Sequence, residues 1–220
     1  MAPELRFTDG RRLPVGKILC AARNYRSHAK EMGAEPPTEP VFFLKPATAV
    51  IHSGEEILLP RQSKDVQVET ELAVILTRGG RNLTIQEAAE LIGGYAVFFD
   101  ITARDLQAAA KKAGLPWTAA KGFDTFAPIG EVVPATAVEH PASLQIALRV
   151  NGQVRQDATA ADMVFPPTAL IAAASVVMRL ELGDIIATGT PAGVCSIHDG
   201  DMLEGEVSGL PPLRCRVHRA

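Results

Sequence analysis

QVETELAVIL, residues 67–76, opens with two glutamates one residue apart and runs on as unbroken apolar sequence. In an extended chain side chains alternate between faces, so Glu69 and Glu71 share a side with Ala73 and Ile75, while Val68, Leu72 and Val74 take the other. A strand apolar on both faces is a buried one. Two ionised carboxylates entering it side by side meet desolvation and mutual repulsion together, and Glu is rarely buried without a partner. A bound metal ion, a Lys or Arg from elsewhere in the chain, or water at an open strand end would answer them.

With 220 residues, 47% apolar and 21% charged, the chain suffices for one large core and is short for two complete domains. One domain is expected over 17–220, behind a short segment 1–16. The formal net charge of −3, with Lys and Arg scattered, leaves no basic surface for nucleic acid. The longest near-apolar stretch, 169–178, falls short of the roughly 18 residues that span a bilayer, and the polar opening MAPELRFTDGRR lacks a secretory hydrophobic region. No membrane partner and a cytoplasmic location are therefore expected. Cys20, Cys195 and Cys215 are odd in number, far apart and outside any CxxC, which suits reduced core thiols better than disulfides or a zinc site.

KILCAARNY reads as a strand running into a turn, with Asn24 capping a short helix, YRSHAKEM, that ends at Gly33. EPPTEP is a proline-rich loop, and VFFLKP, EILLP, the opening stretch and YAVFFDIT are strand-like. NLTIQEAAELIGG is helical, with Thr84 and Glu87 at capping-box spacing and glycines at its end. ARDLQAAAKKAG is a second helix, stopped by Gly114 with Pro116 behind it. PTALIAAASVVMRL is a third, apolar enough to be a buried core helix. IALRVNGQVRQ is a hairpin around Asn151-Gly152. Strands outnumber helices and do not alternate with them, which predicts a mixed α/β, mainly β architecture rather than a doubly wound sheet.

Asp100 ends the run YAVFFD, and with Glu69 and Glu71 it makes three carboxylates at strand ends, an oxygen donor set for a hard divalent cation. His28 and Glu31 stand three apart on the short helix. A carboxylate at that spacing holds an imidazole as a base for water, although the same spacing also describes an exposed helix pair. His52, His140, His198 and His218 have no acid at comparable helical spacing and read as surface or packing residues. Lys121 lies between WTAA and GFDTFAP, an apolar neighbourhood where an ammonium needs an anion such as a substrate carboxylate. TGTPAG, residues 188–193, offers N–H groups and hydroxyls in a turn but is neither a P-loop nor a dinucleotide fingerprint. With no GxSxG and no Ser or Cys in a nucleophile context, covalent acyl catalysis is not expected.

ARNYRSHAKEMG, EPVFFLKPATAV, ETELAVIL, DITARDLQAAAKKAGLPWTAAKGFD, VNGQVRQ and LELGDIIATGTPAGV, in this order from about Lys17 to the C-terminus, resemble the fumarylacetoacetate hydrolase superfamily in its short acylpyruvase-like branch. The resemblance implies a β-roll fold, a homodimer, and Mg2+ or Mn2+ held by Glu69, Glu71 and Asp100. It implies that His28 and Glu31 activate water on a short lid that orders when ligand binds. Lys121, Gln107 and Thr190 would hold the carboxylate and oxo groups of a small oxo-acid substrate, with Arg23 and Arg104 as further contacts. The activity implied is hydrolysis of a C–C bond in a 2,4-dioxo acid. Oxaloacetate decarboxylation or keto–enol tautomerisation, homoprotocatechuate-pathway isomerisation or decarboxylation, and a catalytically silent metal-binding scaffold are the alternatives. Three positions depart from the pattern. Gln67 and Val68 stand where short members carry a His pair, Cys195 stands where glycine is common, and no acid between Lys17 and Glu31 offers a fourth ligand. Water or substrate would fill that coordination position.

Overall fold

The computed structural model describes residues 3–31 and 33–219. The strand Thr70–Leu76 is buried along its whole length, and its two faces feed two different cores, as the alternation predicts. Ala73 and Ile75 join Leu5, Phe7, Ile18, Cys20 and Phe98 on one side, whereas Leu72, Val74 and Leu76 join Val97, Phe99 and Leu170 on the other. The extended segment is not one strand, however. Val66–Val68 pairs with Thr102–Ala103 and Cys195–Ser196 in a small sheet, and the chain changes sheets at Glu69. Thr70 N–H then donates to the Gln156 side chain at 2.9 Å rather than to a neighbouring strand.

The fold is mixed and mainly β, with a curled large sheet. Its strand order is Val41–Lys45, Ile18–Ala22, Ile185–Ala187, Thr70–Leu76, Ile92–Phe99, Ala127–Ile129, Val50–His52, with Val133–Pro134 also paired to Ile92–Phe99. Two pairings are parallel, Ile185–Ala187 with Ile18–Ala22 and Ala127–Ile129 with Val50–His52. A second sheet runs Gln153–Thr159, Gln145–Val150, Met202–Val207, Leu213–Arg219, Glu56–Leu59. The two sheets meet where Gly205 packs against the Phe99 ring, and a Cβ there would lie 2.5 Å from it. The Asn151-Gly152 turn has φ of 52° and 78°, the pair of left-handed residues that a type I′ hairpin requires.

Five α-helices complete the described residues: α1 Arg26–Glu31, α2 Ile85–Glu90, α3 Arg104–Ala113, α4 Thr118–Lys121 and α5 Pro167–Val177. The capping box of α2 is present, with Thr84 Oγ1 accepting from Glu87 N–H and the Glu87 carboxylate accepting from Thr84 N–H. Gly93 and Gly94 do not end that helix. They lie in the strand Ile92–Phe99, where a Cβ on Gly93 would sit 2.0 Å from the Thr77 side chain. Helix α3 stops at left-handed Gly114, as predicted. Met32, the expected last residue of the first helix, lies outside the described residues.

Asn24 does not cap α1. Its side chain donates to Phe165 C=O at 2.9 Å and Thr188 C=O at 2.8 Å and accepts from Phe165 N–H at 2.8 Å, so a buried amide is satisfied by two distant segments instead. Helix α5 is also not wholly buried. Leu170, Ile171 and Ala174 face the core, but Val176 and Val177 are 63% and 69% exposed. No helix among the described residues is long and apolar enough to cross a membrane.

Replacing Asn24 by Ala leaves Phe165 N–H and Thr188 C=O without partners in the interior and should destabilise the protein by about 2–4 kcal/mol. Thr84→Ala, at a surface cap, should move the urea midpoint far less. Equal shifts for the two variants would show that Asn24 does not tie these segments together.

Candidate metal centre

Antiparallel pairing of Thr70–Leu76 with Ile92–Phe99 sets Glu71 opposite Phe98, and Asp100 N–H donates to Glu69 C=O at 2.9 Å just beyond the last pair. That register brings Glu69, Glu71 and Asp100 together, each offering a carboxylate oxygen within 4.8 Å of the others. All three are buried, at 6%, 1% and 1% exposure.

Their positive partners come from three separate elements. Arg104, at the start of α3, donates to Glu69 Oε1 through Nη2, to Gln107 Oε1 at 2.7 Å and to Gln67 Oε1 at 2.8 Å. Lys121, at the end of α4, donates to Glu69 Oε2 at 3.0 Å, Asp100 Oδ2 at 2.5 Å and Thr102 Oγ1 at 2.6 Å. The substrate is thus not needed to balance the Lys121 charge, because Glu69 and Asp100 already do so. Lys45 Nζ, at the end of Val41–Lys45, lies 2.8 Å from Asp100 Oδ1. Its three protons go to the carbonyls of Ile101, Lys121 and Phe126, which leaves Asp100 Oδ1 attracted by a charge but without a hydrogen bond.

Glu71 differs from the other two. Its carboxylate accepts Gly189 N–H at 2.8 Å, and no ammonium or guanidinium among the described residues pairs with it. Burial, then the charges of Asp100 and Glu69, push its carboxyl well above the usual range. Burial opposes the ionisation of Glu69 too, but Lys121 and Arg104 overcome it and hold that carboxyl well below its ordinary value. Three convergent carboxylates, one orphaned oxygen and one acid without a cation form a hard oxygen donor set short of positive charge, and a divalent cation fits it.

His28 Nδ1 is 3.1 Å from Glu31 Oε2, and the other Glu31 oxygen accepts Gly193 N–H at 3.0 Å, tying α1 to the TGTPAG turn. With Nδ1 turned to the carboxylate, Nε2 is the ring nitrogen left for other chemistry. A cavity of about 410 Å³ is lined by Glu69, Glu71, Asp100, His28, Arg23, Arg104, Gln107, Lys121 and Thr190. Glu31 stands behind His28 rather than in the wall. Nine of the ten residues singled out in the sequence therefore meet in one cavity, and the tenth touches a residue that does.

Sequence reasoning missed three members of this site. Lys45 ends an apolar strand immediately before Pro46, a weak signal at best. Gln156 is 1% exposed on a strand of otherwise largely open residues. It accepts from Thr70 N–H and donates to Thr190 Oγ1 at 2.7 Å and Pro191 C=O at 2.9 Å. Lys111, one further turn along the cavity face of α3, also lines the wall. The remaining histidines lie outside the cavity wall, although exposed His198 does stand 3.6 Å from Asp201, an acid three residues on. The three cysteines are unpaired, and Cys195 is only partly buried.

An oxygen triad of this kind at the strand ends of a mainly β fold is a donor set that fits a divalent metal ion. The chain belongs to the fumarylacetoacetate hydrolase family: residues 17–218 match its C-terminal domain model. Oxaloacetate tautomerase FAHD1, mitochondrial, of Arabidopsis thaliana is 43% identical over 203 residues, covering 92% of this chain and 91% of that protein. The structure of fumarylpyruvate hydrolase from Pseudomonas aeruginosa in complex with Mn2+ and pyruvate superposes with a TM-score of 0.96 at 36% identity, covering 100% of this chain and 97% of that one. That of 5-carboxymethyl-2-hydroxymuconate delta-isomerase from Mycobacterium smegmatis gives 0.83 at 37% identity, with coverage of 96% and 86%. Enzymes of the family are hydrolases, isomerases or tautomerases.

Mg2+ or Mn2+ at about a hundredfold excess over Kd should raise the melting temperature by roughly 5–10 °C, by binding the folded state alone. Glu71→Gln removes the one acid with no cation, so the metal-free variant should melt no lower than the metal-free wild type while its metal response is lost. A variant with the full wild-type response would take Glu71 out of the ligand set.

Proposed function

We propose that the protein hydrolyses the C–C bond of 2,4-dioxo acids, acylpyruvates such as fumarylpyruvate or acetylpyruvate, to a carboxylic acid and pyruvate. The observation that carries this is the His28–Glu31 pair beside the acid triad in a single cavity. Glu69, Glu71 and Asp100 would hold Mg2+ or Mn2+, which supplies Lewis-acid neutralisation of the enolate that departs.

The chain's own groups do the rest. Glu31 accepts the Nδ1 proton of His28, which leaves Nε2 to take a proton from the water that attacks the C4 carbonyl. As the ring becomes an imidazolium, the Glu31 contact strengthens and favours that charge. Collapse of the tetrahedral C4 breaks the C3–C4 bond and sends its electron pair into the pyruvate enolate. His28 then returns the proton to C3, and the products are neutral to the proton count. Lys121, Gln107 and Thr190 orient the 1-carboxylate and oxo groups, with Arg104 held in place by Gln67 and Gln107 and with Arg23 at the wall.

Oxaloacetate keto–enol tautomerisation is the second reading, supported by curated relatives of that name at 39–43% identity. It uses the same enolate but needs no attacking water. The proposal extends to a homodimer, supported by the apolar groove that Val41, Leu44, Leu115 and Val177 line. It extends also to a cytoplasmic location, supported by three thiols outside any disulfide.

His28→Ala should lower pyruvate release from acetylpyruvate or fumarylpyruvate by about two orders of magnitude or more, with Mg2+ affinity unchanged. A wild-type protein that releases no pyruvate from acylpyruvates yet speeds the enol–keto conversion of oxaloacetate would replace the hydrolase with the tautomerase.

A further inference from the structure

Gln67 is not among the residues that line the cavity, yet its amide is tied to one of them. It is the middle residue of the small three-stranded sheet, in register with Thr102 on one side and Ser196 on the other. Its Nε2 donates to Asp65 Oδ2 at 3.0 Å, and its Oε1 accepts from Arg104 Nε at 2.8 Å. Asp65 is fixed in turn, since its Oδ1 accepts from Ser196 Oγ at 2.7 Å and its backbone carbonyl accepts Arg104 N–H at 2.7 Å. Beyond Gln67, Arg104 donates through Nη2 to Glu69 and through Nη1 to Gln107 Oε1 at 2.7 Å.

The direction of each of these hydrogen bonds is dictated by the charged groups. An ionised carboxylate only accepts and a guanidinium only donates. Gln67 must therefore turn its NH2 to Asp65 and its oxygen to Arg104, and Gln107 must turn its oxygen to Arg104 as well. The Gln107 Nε2 donors are what remains. They have no hydrogen-bond partner among the described residues, although Gln107 is only 3% exposed and lines the cavity. A buried amide NH2 with no partner is suited to an acceptor that arrives from outside the chain. With the amide reversed, its oxygen would face the cavity and repel an anion there.

We infer that Gln67, held by Asp65, is a positioning residue: through Arg104 it locks the Gln107 amide with its N–H donors toward the cavity, where an oxygen of an anionic ligand accepts them. Asp65, Gln67, Arg104 and Gln107 form one polarised relay. Its outer end is a half-buried carboxylate and its inner end is a hydrogen-bond donor. The relay rests on the oxo-acid chemistry proposed above for the nature of the ligand. Arg104 stays paired with Glu69 through a separate nitrogen, so loosening Gln67 weakens the ligand's contact and leaves the metal's affinity alone. Gln67 is also one of the residues that set this chain apart from the pattern of the short family members.

Oxalate is the probe, an unreactive dianion with the vicinal oxygens of a 2-oxo acid, titrated calorimetrically into Mg2+-loaded protein. Gln67→Met matches the glutamine in length, and Asp65→Ala frees the same amide from its outer end. Each should weaken oxalate by about five- to tenfold, with Mn2+ binding by the same variants unchanged. Asp65→Asn/Gln67→Glu reverses the first hydrogen bond and keeps the second, so this double variant should bind oxalate within about twofold of wild type. In a Gln107→Ala background Gln67→Met should cost nothing further, because the relay has lost its inner end. Wild-type oxalate affinity in both Gln67→Met and Asp65→Ala, no recovery in the double variant, a full Gln67→Met effect in the Gln107→Ala background, or loss of Mn2+ binding with Gln67→Met overturns the relay. Pyruvate release from acylpyruvates is assayed separately. Its absence beside the expected oxalate pattern removes the hydrolase and leaves the relay standing, whereas failure of wild type to bind oxalate removes the relay whatever the turnover.

Discussion

An ionised carboxylate inside a protein must meet positive charge, and here three carboxyl groups converge within 4.8 Å. Much of the architecture answers that constraint. The antiparallel pair at the centre of the large sheet sets the spacing of Glu71 and Asp100, the change of sheet at Glu69 turns a third oxygen inward, and Lys45, Arg104 and Lys121 arrive from a strand and two helices to balance two of the acids. The protein alone balances Glu69 and Asp100. It leaves Glu71 with a single backbone N–H, and that shortfall is what fits the cluster for a divalent cation. Well-matched buried ion pairs stabilise little beyond apolar packing, whereas an incomplete set binds a cation with the free energy it lacks.

The groups that would do proton chemistry are attached more lightly than those that hold the metal. Helix α1 carries His28 on six residues and is joined to the TGTPAG turn through Glu31 and Gly193, while Asn24, just before it, is fixed by three hydrogen bonds to distant backbone. Thr190 is different, since Thr70 C=O and Gln156 hold its hydroxyl on both sides, giving the opposite wall a fixed shape.

What the sequence revealed, and what it did not, divides by range. Alternation over 70–76 assigned both faces of the central strand to their cores, and helical spacing paired His28 with Glu31. Thr84 with Glu87 and Asn151 with Gly152 are local chemistry, legible from a few residues. Asn24 looked like a helix cap because a cap is the local use of an asparagine. Its true partners lie more than 140 residues away and leave no local trace. Lys45 and Gln156 escaped for a related reason: each sits in a segment whose periodicity assigns the backbone but not the side chain's far partner. Gly93 and Gly94 seemed to end a helix, yet the close approach of Thr77 and Val132 requires them in a strand. The run of apolar residues in α5 predicted burial, and the exposed Val176 and Val177 show that an apolar helix can still present one face outward.

The central claim is that the triad is a stoichiometric divalent-cation site, and Mn2+ electron paramagnetic resonance tests it without reference to any substrate. Metal-free protein titrated into Mn2+ should suppress the free-ion signal until one equivalent is bound per chain, Asp100→Asn should abolish that suppression, and excess Mg2+ should restore the signal in wild type. A free-ion signal undiminished by wild-type protein, or diminished equally by Asp100→Asn, would contradict the account.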